Sequence, residues 1–436
     1  LNIEATSEMT NTTSTQNPMA RVMLLRDFRL LFAGTTTSLL GDQFALIAAP
    51  WLVLQLTGNP LALGIVLALE GFPRALFMLL GGAVTDRLSP RIVMLISDFI
   101  RLALTGLMAL AIFTGSVQMW MVYAFALGFG LVAGFAVPAG NSIIPMLVAE
   151  EDLQTGNSII MGSSQLIQFV GPTIAGILIG NYSTSSLGIG LAFTVDALSF
   201  AVSAVCLWVM RGGGNLEAAN AKQKESVWTS ILVGMKYLWN DQPLRMLFLI
   251  LAGVNFFFTG PLFVGIPVLA DQYLPEGAVA FGLLMSAFAG GSLVGILLAG
   301  ILPRPKGKGM SAFLILLLVS FGVSLGFFGF IRSTWLDFAL MLLLGAGNGY
   351  VAILMFTWMQ TNTPKDMLGR MMSMVMLAGN GLVPISQAIS GAVIKWNLEI
   401  LFVSAGALIV LVSLWAATQP GLKTFSESMI AAPSEV

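Results

Sequence analysis

From residue 28 to residue 417 the chain is a succession of long apolar runs separated by short polar turns. A helix crosses the hydrocarbon core of a bilayer with about 20 mostly apolar residues. Runs of that length fall at 28–54, 60–85, 91–113, 117–147, 153–181, 184–210, 244–270, 277–302, 309–331, 335–360, 366–394 and 398–417. Lipid offers no partner to a backbone N–H or C=O, so each run must close its hydrogen bonds within itself as a helix. Charged residues make up 9% of the chain, against roughly 25% in soluble domains, and the mean hydropathy is +0.89. The chain therefore reads as an all-α membrane protein with twelve transmembrane helices, and a soluble enzyme is excluded.

The polar segments organise these spans. Residues 1–25 form a disordered-looking N-terminal tail without the apolar core of a signal peptide, and Met9 and Met19 are alternative starts to Leu1. Residues 26–210 hold the first six spans and residues 244–417 the last six. Between them, 211–243 opens with the only long polar interior stretch, "RGGGNLEAANAKQKES", and reads as a linker. Later in that linker Trp228, Ile231, Leu232, Met235, Leu238 and Trp239 recur at three-and-four spacing. That stripe suits a helix lying in the membrane interface or an early extension of span seven. Residues 418–436 are a C-terminal tail.

With the N-terminus inside, the cytoplasmic segments collect sixteen of the 20 Lys and Arg residues, and the outer loops hold only Arg332 and Lys395. Positive charge stays on the cytoplasmic side, so both termini are expected in the cytoplasm and the chain in the plasma (inner) membrane. The halves also echo one another. "GPTIAGILIG" in span five matches "VPISQAISGAVI" in span eleven, with Pro172 opposite Pro384 and Gly176 opposite Gly391. Such an internal repeat is expected of a transporter built from two related, pseudo-symmetric six-helix bundles.

The turn after span two reads "GGAVTDRLSPR" and concentrates Gly82, Asp86, Arg87 and Arg91. A glycine there lets helices approach, an acid suits a helix N-terminus and arginines suit carboxylates or terminal carbonyls. This turn resembles the hallmark G-x-x-x-D-R-x-G-R-R of the major facilitator superfamily, with Ser89 and Pro90 in place of the Gly and first Arg of its end. "FAVPAGNSIIPMLVAEEDLQTGNSI" and "VDALSF" resemble the branch of macrolide-efflux proteins and enterobactin exporters. Gly171, Pro172 and Gly176 match the core of a motif associated with drug:proton antiporters, with Ala175 where a glycine is common. The resemblance implies the major facilitator fold. It also implies a cytoplasmic latch in which Asp86 meets Gly369 and Arg370 at the start of span eleven. Asp98, ~10 Å from the inner end of span three at ~1.5 Å per residue, and Arg101, three positions on, read as serving that latch rather than the solute. Arg87 and Arg91 would alternatively only fix topology.

Acids inside spans cost roughly 2.5–3.5 kcal/mol on insertion scales and so face a cavity or a partner. Asp42 lies near the middle of span one, and Glu70 sits ~15 Å deep in span two at ~1.5 Å per residue. Arg74 follows Glu70 by four positions, on the same helical face unless Pro73 rotates it away. Asp42, Glu70 and Arg74 are the proton-coupling candidates; the competing reading is a static Glu70–Arg74 pair. Asp196 reads as a structural acid or a ligand, Asp337 as an ordinary span-end acid, and the acidic run Glu150–Asp152 has no role assigned by sequence. Uncharged cavity candidates are Gln43, Gln165, Gln168, Asn255, Phe256, Trp358 and Asn380. The abundance of Phe and Met suits an amphipathic or hydrophobic solute.

Other chemistry is not written here. The chain has no histidine, and its one cysteine, Cys206, lies in an apolar run, so no disulfide and no metal site is expected. "GMKYLW" and "KGKGMS" lack the glycine spacing of a phosphate loop, so neither an ATP-driven pump nor an enzyme is supported. The expected function is secondary active transport: proton-coupled efflux of small amphipathic compounds by alternating access, driven by the proton gradient without a cofactor. Alternatives are export of a siderophore or lipid-like metabolite, or a transporter-like membrane sensor. The expected partners are the solute, protons and the bilayer, with no nucleic acid, and the chain is expected to work as a monomer. A phosphatase reporter joined after Arg332 should be active outside the cell, and one joined after Lys222 inactive. The reverse pattern would invert the topology.

Overall fold

The computed structural model describes residues 17–85, 88–182, 186–212, 227–302 and 308–421. The described residues form sixteen α-helices: α1 (Pro18–Leu24), α2 (Arg26–Thr57), α3 (Pro60–Thr85), α4 (Pro90–Phe113), α5 (Met119–Leu147), α6 (Leu153–Gly180), α7 (Leu187–Val209), α8 (Val227–Asn240), α9 (Gln242–Gly260), α10 (Ile266–Tyr273), α11 (Ala278–Ile301), α12 (Lys308–Phe327), α13 (Thr334–Asn362), α14 (Lys365–Asn380), α15 (Val383–Ile394) and α16 (Leu398–Thr418). Among them are twelve helical stretches long and apolar enough to cross a membrane. The seventh is α9 joined to α10 through a π-helical turn at Pro261–Gly265, and the eleventh is α14 and α15 separated by a turn at 381–382.

Local chemistry sets the boundaries. Gly58 closes α2 with φ +57°, and its N–H donates to the Leu54 carbonyl. The Asn59 side chain accepts from Leu61 N–H at 3.0 Å, and Pro60 opens α3. Asp241 caps α9 through Leu244 N–H at 2.9 Å. That cap makes α8 a helix of its own and not an early extension of the seventh span, and its Gly234 lies against Arg370 of α14.

Helices alternate in direction, so the start of α2, the end of α7 and the starts of α4, α6 and α9 share one face. Arg21, Arg26, Arg29, Arg91, Arg211 and Arg245 lie there, and it is called here the basic face; Arg332 and Lys395 lie at the opposite face. Within the N-terminal bundle α2 packs on α6 and α7, α3 on α5, and α4 on α5 and α7. Within the C-terminal bundle α11 packs on α13, α12 on α16, and α9 on α15 and α16.

The two most extensive contacts between the bundles are α6 on α11 and α3 on α15, with smaller ones of α2 on α10 and α11. The two extensive ones are crossings of glycine on glycine near the opposite face. A Cβ on Gly176 would stand 3.1 Å from Gly282 Cα, and a Cβ on Gly391 would stand 3.1 Å from Gly64 Cα. Span five meets span eight as span eleven meets span two, so one contact repeats under the pseudo-two-fold of the halves. Toward the basic face α14 packs on α8, α9 and α13.

These crossings leave no room for a side chain. Gly282→Leu would drive carbon into the Pro172 carbonyl and Gly176 Cα, an overpacking worth about 1–3 kcal/mol. It should part the bundles at the opposite face, read as faster thiol labelling of a cysteine at Ser286, which faces α6. Gly162→Leu, with nothing within 4 Å, should leave that labelling unchanged.

Candidate functional site

A cavity of about 680 Å³ enters the N-terminal bundle from the basic face. Among the described residues its wall comes from α2 to α7 alone. On α2 it runs from Leu31 to Pro50, about 28 Å at 1.5 Å per residue. The wall is mostly apolar, with Leu39, Met94, Phe125, Phe129, Val137 and Met161, and is punctuated by Thr35, Ser38, Asn141, Asn157 and Ser164.

Five charged side chains from three helices line it: Asp42, Glu70, Arg74, Asp98 and Arg101. Glu70 and Arg74 form an ion pair one turn apart on α3. Gly130 of α5 holds that turn in place, since a Cβ there would lie 3.0 Å from Glu70 Cα. Asp42 is within electrostatic reach of Arg101, Arg74 and Glu70. Asp98 is buried and accepts a hydrogen bond from the Ser203 hydroxyl of α7. The Arg101 guanidinium lies over the rings of Phe129, at 5.0 Å, and Phe200, at 5.4 Å. Two aromatic faces thus hold a cation amid the carboxylates.

The predicted residues divide accordingly. Asp98 and Arg101, read from their depth as serving the cytoplasmic latch, line the cavity with Asp42. Asp86 and Arg87 lie outside the described residues, as does the linker over 213–226; Gly82 and Gly369 fall within α3 and α14. Arg91 donates to the Leu207 and Trp208 carbonyls at 2.7 and 2.8 Å, which caps the C-terminus of α7. Arg370 contacts the Met367 sulfur at 3.6 Å.

The Gly171-Pro172-Gly176 stretch does two jobs. At Gly171 α6 closes on α2, where a Cβ would stand 2.7 Å from Gln43 Cβ, and at Gly176 it closes on α11. Pro172 cannot donate a backbone bond, and the next N–H, of Thr173, donates to the Ser286 hydroxyl of α11 at 3.0 Å. Gln43 follows Asp42, so the contact between the bundles is tied to the acid through one helix.

The remaining uncharged candidates stand apart from this cavity. Gln165 is half-buried and Gln168 exposed on α6, away from the cavity wall. Asn255 returns its amide to the Leu251 carbonyl, and the Phe256 carbonyl accepts from the Ser386 hydroxyl. Trp358 is packed with Leu238, Leu244, Met359 and Met371 in an apolar cluster. Asn380 is exposed.

Sequence reasoning missed two features. Ser203 lies seven residues after Asp196, on the same face of α7, a spacing that could have flagged it. The acidic run after α5 finds its partner in α1: Arg21 donates to Asp152 at 2.6 Å and approaches Glu151 at 3.4 Å. That hydrogen bond raises the Arg21 guanidinium above its ordinary value.

Removing Arg101 would strand its carboxylates. Arg101→Gln takes away the positive charge that acts on Asp42 and Asp98, so it should lower the melting temperature, and adding Asp98→Asn should recover part of the loss. No recovery would mean that the two are not coupled.

Residues 31–388 match the family model of the Major Facilitator Superfamily. The chain is 28% identical over 359 residues to the multidrug efflux pump Tap of Mycolicibacterium fortuitum, covering 79% of this chain and 83% of that protein. It is 25% identical over 352 residues to the enterobactin exporter EntS of Escherichia coli, covering 79% of each. Its fold matches that of a bacterial homologue of the iron transporter ferroportin in an inward-facing state, with a TM-score of 0.66 at 18% identity, over 91% of this chain and 100% of that one.

Proposed function

The chain belongs to the major facilitator superfamily, and from that premise we propose that it is a proton-coupled exporter of small amphipathic compounds. It is a secondary transporter on that fold, and the finer reading concerns what drives it and what it carries. The observation that supports the reading is the convergence of Asp42, Glu70, Arg74, Asp98 and Arg101 on one cavity of the N-terminal bundle. By contrast, the central parts of the C-terminal spans carry no charge: none lies between Arg245 and Asp271, in 277–303, or in 371–394.

The positive-inside rule puts the basic face in the cytoplasm, so the conformation described opens inward. Solute enters along the mostly apolar wall while its polar group meets the charged floor. Outward opening requires the bundles to part at Gly176–Gly282 and Gly64–Gly391 and to close at the basic face. Loss of α11 releases α6, and Gly171 passes that release to Gln43 and hence to the helix that carries Asp42. A carboxylate whose surroundings differ between the two states loads a proton on one side and releases it on the other. The similarity to a multidrug efflux pump supports export of varied compounds, and Phe125, Phe129, Met94 and Met161 supply adaptable surface for them.

The test is accumulation of an amphipathic dye panel in cells with and without the gene, before and after a protonophore collapses the gradient. Expression should lower accumulation, and the protonophore should abolish the difference. Glu70→Gln and Asp42→Asn should each cut proton-linked efflux at least about tenfold, the effect of roughly 1.4 kcal/mol or more. Full activity in both variants would remove both as couplers, and unchanged accumulation across the panel would favour a sensor.

A further inference from the structure

Asp196 of α7 has no place in that cycle as drawn. It is 0% exposed, and neither of its side-chain oxygens has a hydrogen-bond partner among the described residues. One of them, Oδ1, faces α2: a Cβ on Gly41, the residue before Asp42, would come within 2.8 Å of it. From α4, which also packs on α7, come Asp98 and Arg101, and Asp98 Oδ2 is likewise buried and unpartnered. The third helix against α7 is α6, which carries no charged residue from Leu153 to Gly180. Glu70 and Arg74 face Asp42 from across the cavity.

Counting charge in this assembly gives four carboxylates, Asp42, Glu70, Asp98 and Asp196, against two guanidiniums. Glu70 is matched by Arg74, so three acids share Arg101. Two uncompensated negative charges inside a lipid-embedded bundle are costly, and such groups are retained where a cation comes and goes. Asp196 Oδ1 abuts the α2 backbone, and among the described residues no group of three or more His, Cys, Asp or Glu side chains is placed to hold a metal ion. A proton needs no such space.

We propose that the solute-free site holds two protons at once, shared over Asp42, Asp98 and Asp196. This rests on the proton-coupled reading above. Asp42 and Asp98 line the cavity, and Asp196 lies behind them, fully buried against α2. The Arg101 guanidinium is gripped by ring faces, and its Nε has no hydrogen-bond partner among the described residues. It can lean toward whichever carboxylate is ionised. Release converts two carboxylic acids to carboxylates, and both protons leave to water. Asp42 is within electrostatic reach of both Asp98 and Asp196, so the count belongs to the cluster and not to any one residue.

The experiment is infrared spectroscopy of the full chain in lipid nanodiscs at neutral pH, reading the carbonyl band of protonated carboxyl groups. Asp42→Asn and Asp196→Asn should each remove the intensity of one acid, and the double variant that of two. Asp196→Glu should shift the band without removing it, which keeps the test open if the amide variant does not fold. A band left whole by Asp196→Asn in a folded protein overturns the proposal. So does a band lost on adding sodium chloride, which would put a metal cation in the site. Proton-driven transport without an Asp196-dependent band sinks this inference alone. An Asp196-dependent band in a protein that moves nothing across proteoliposomes sinks the transport reading instead.

Discussion

Helix backbones in direct contact at two glycine crossings hold the two halves of this molecule together at one face. In lipid, helices gain little from hiding apolar surface, so close packing of small residues has to supply the attraction. Gly176 on Gly282 and Gly64 on Gly391 do this without an ion pair, and each is the pseudo-symmetric image of the other. Contacts made of close packing and the Thr173–Ser286 hydrogen bonds can be broken and remade without stranding a charge. The closure is placed near the ends of α6 and α15, and the cavity enters from the other face.

The halves share architecture but not chemistry. Every charged side chain deep in the membrane lies in the N-terminal bundle, where α2, α3, α4 and α7 bring them together. The central parts of the C-terminal spans carry no charge. One bundle thus carries the ionic site, and the other is the body against which it moves. The link between site and closure is α6, which touches α2 at Gln43 through Gly171 and touches α11 through Gly176 and Thr173.

The spans were legible because the length of an apolar run is a local property. The first span was expected over 28–54 and is α2, Arg26–Thr57; the last was expected over 398–417 and is α16, Leu398–Thr418. What depends on partners distant in sequence was not legible. Asp98 and Arg101 share a helical face by spacing, yet spacing does not say whether that face meets a turn or a cavity. Ser203, Phe129 and Phe200, which decide the matter, belong to other helices. Trp358 has the size and polarity of a ligand contact but sits among Leu238, Met359 and Met371. Glu150–Asp152 made no sense until Arg21, 131 positions from Asp152, was found against it.

Pivoting of the two bundles about the paired glycine crossings is tested most directly by interspin distances. One pair of labels would sit at Arg29 and Arg245 on the basic face, the other at Asn59 and Trp396 on the opposite face. Across a shift in pH the first distance should shorten while the second lengthens. Distances that stay fixed at both faces, or that move in the same sense, would contradict it.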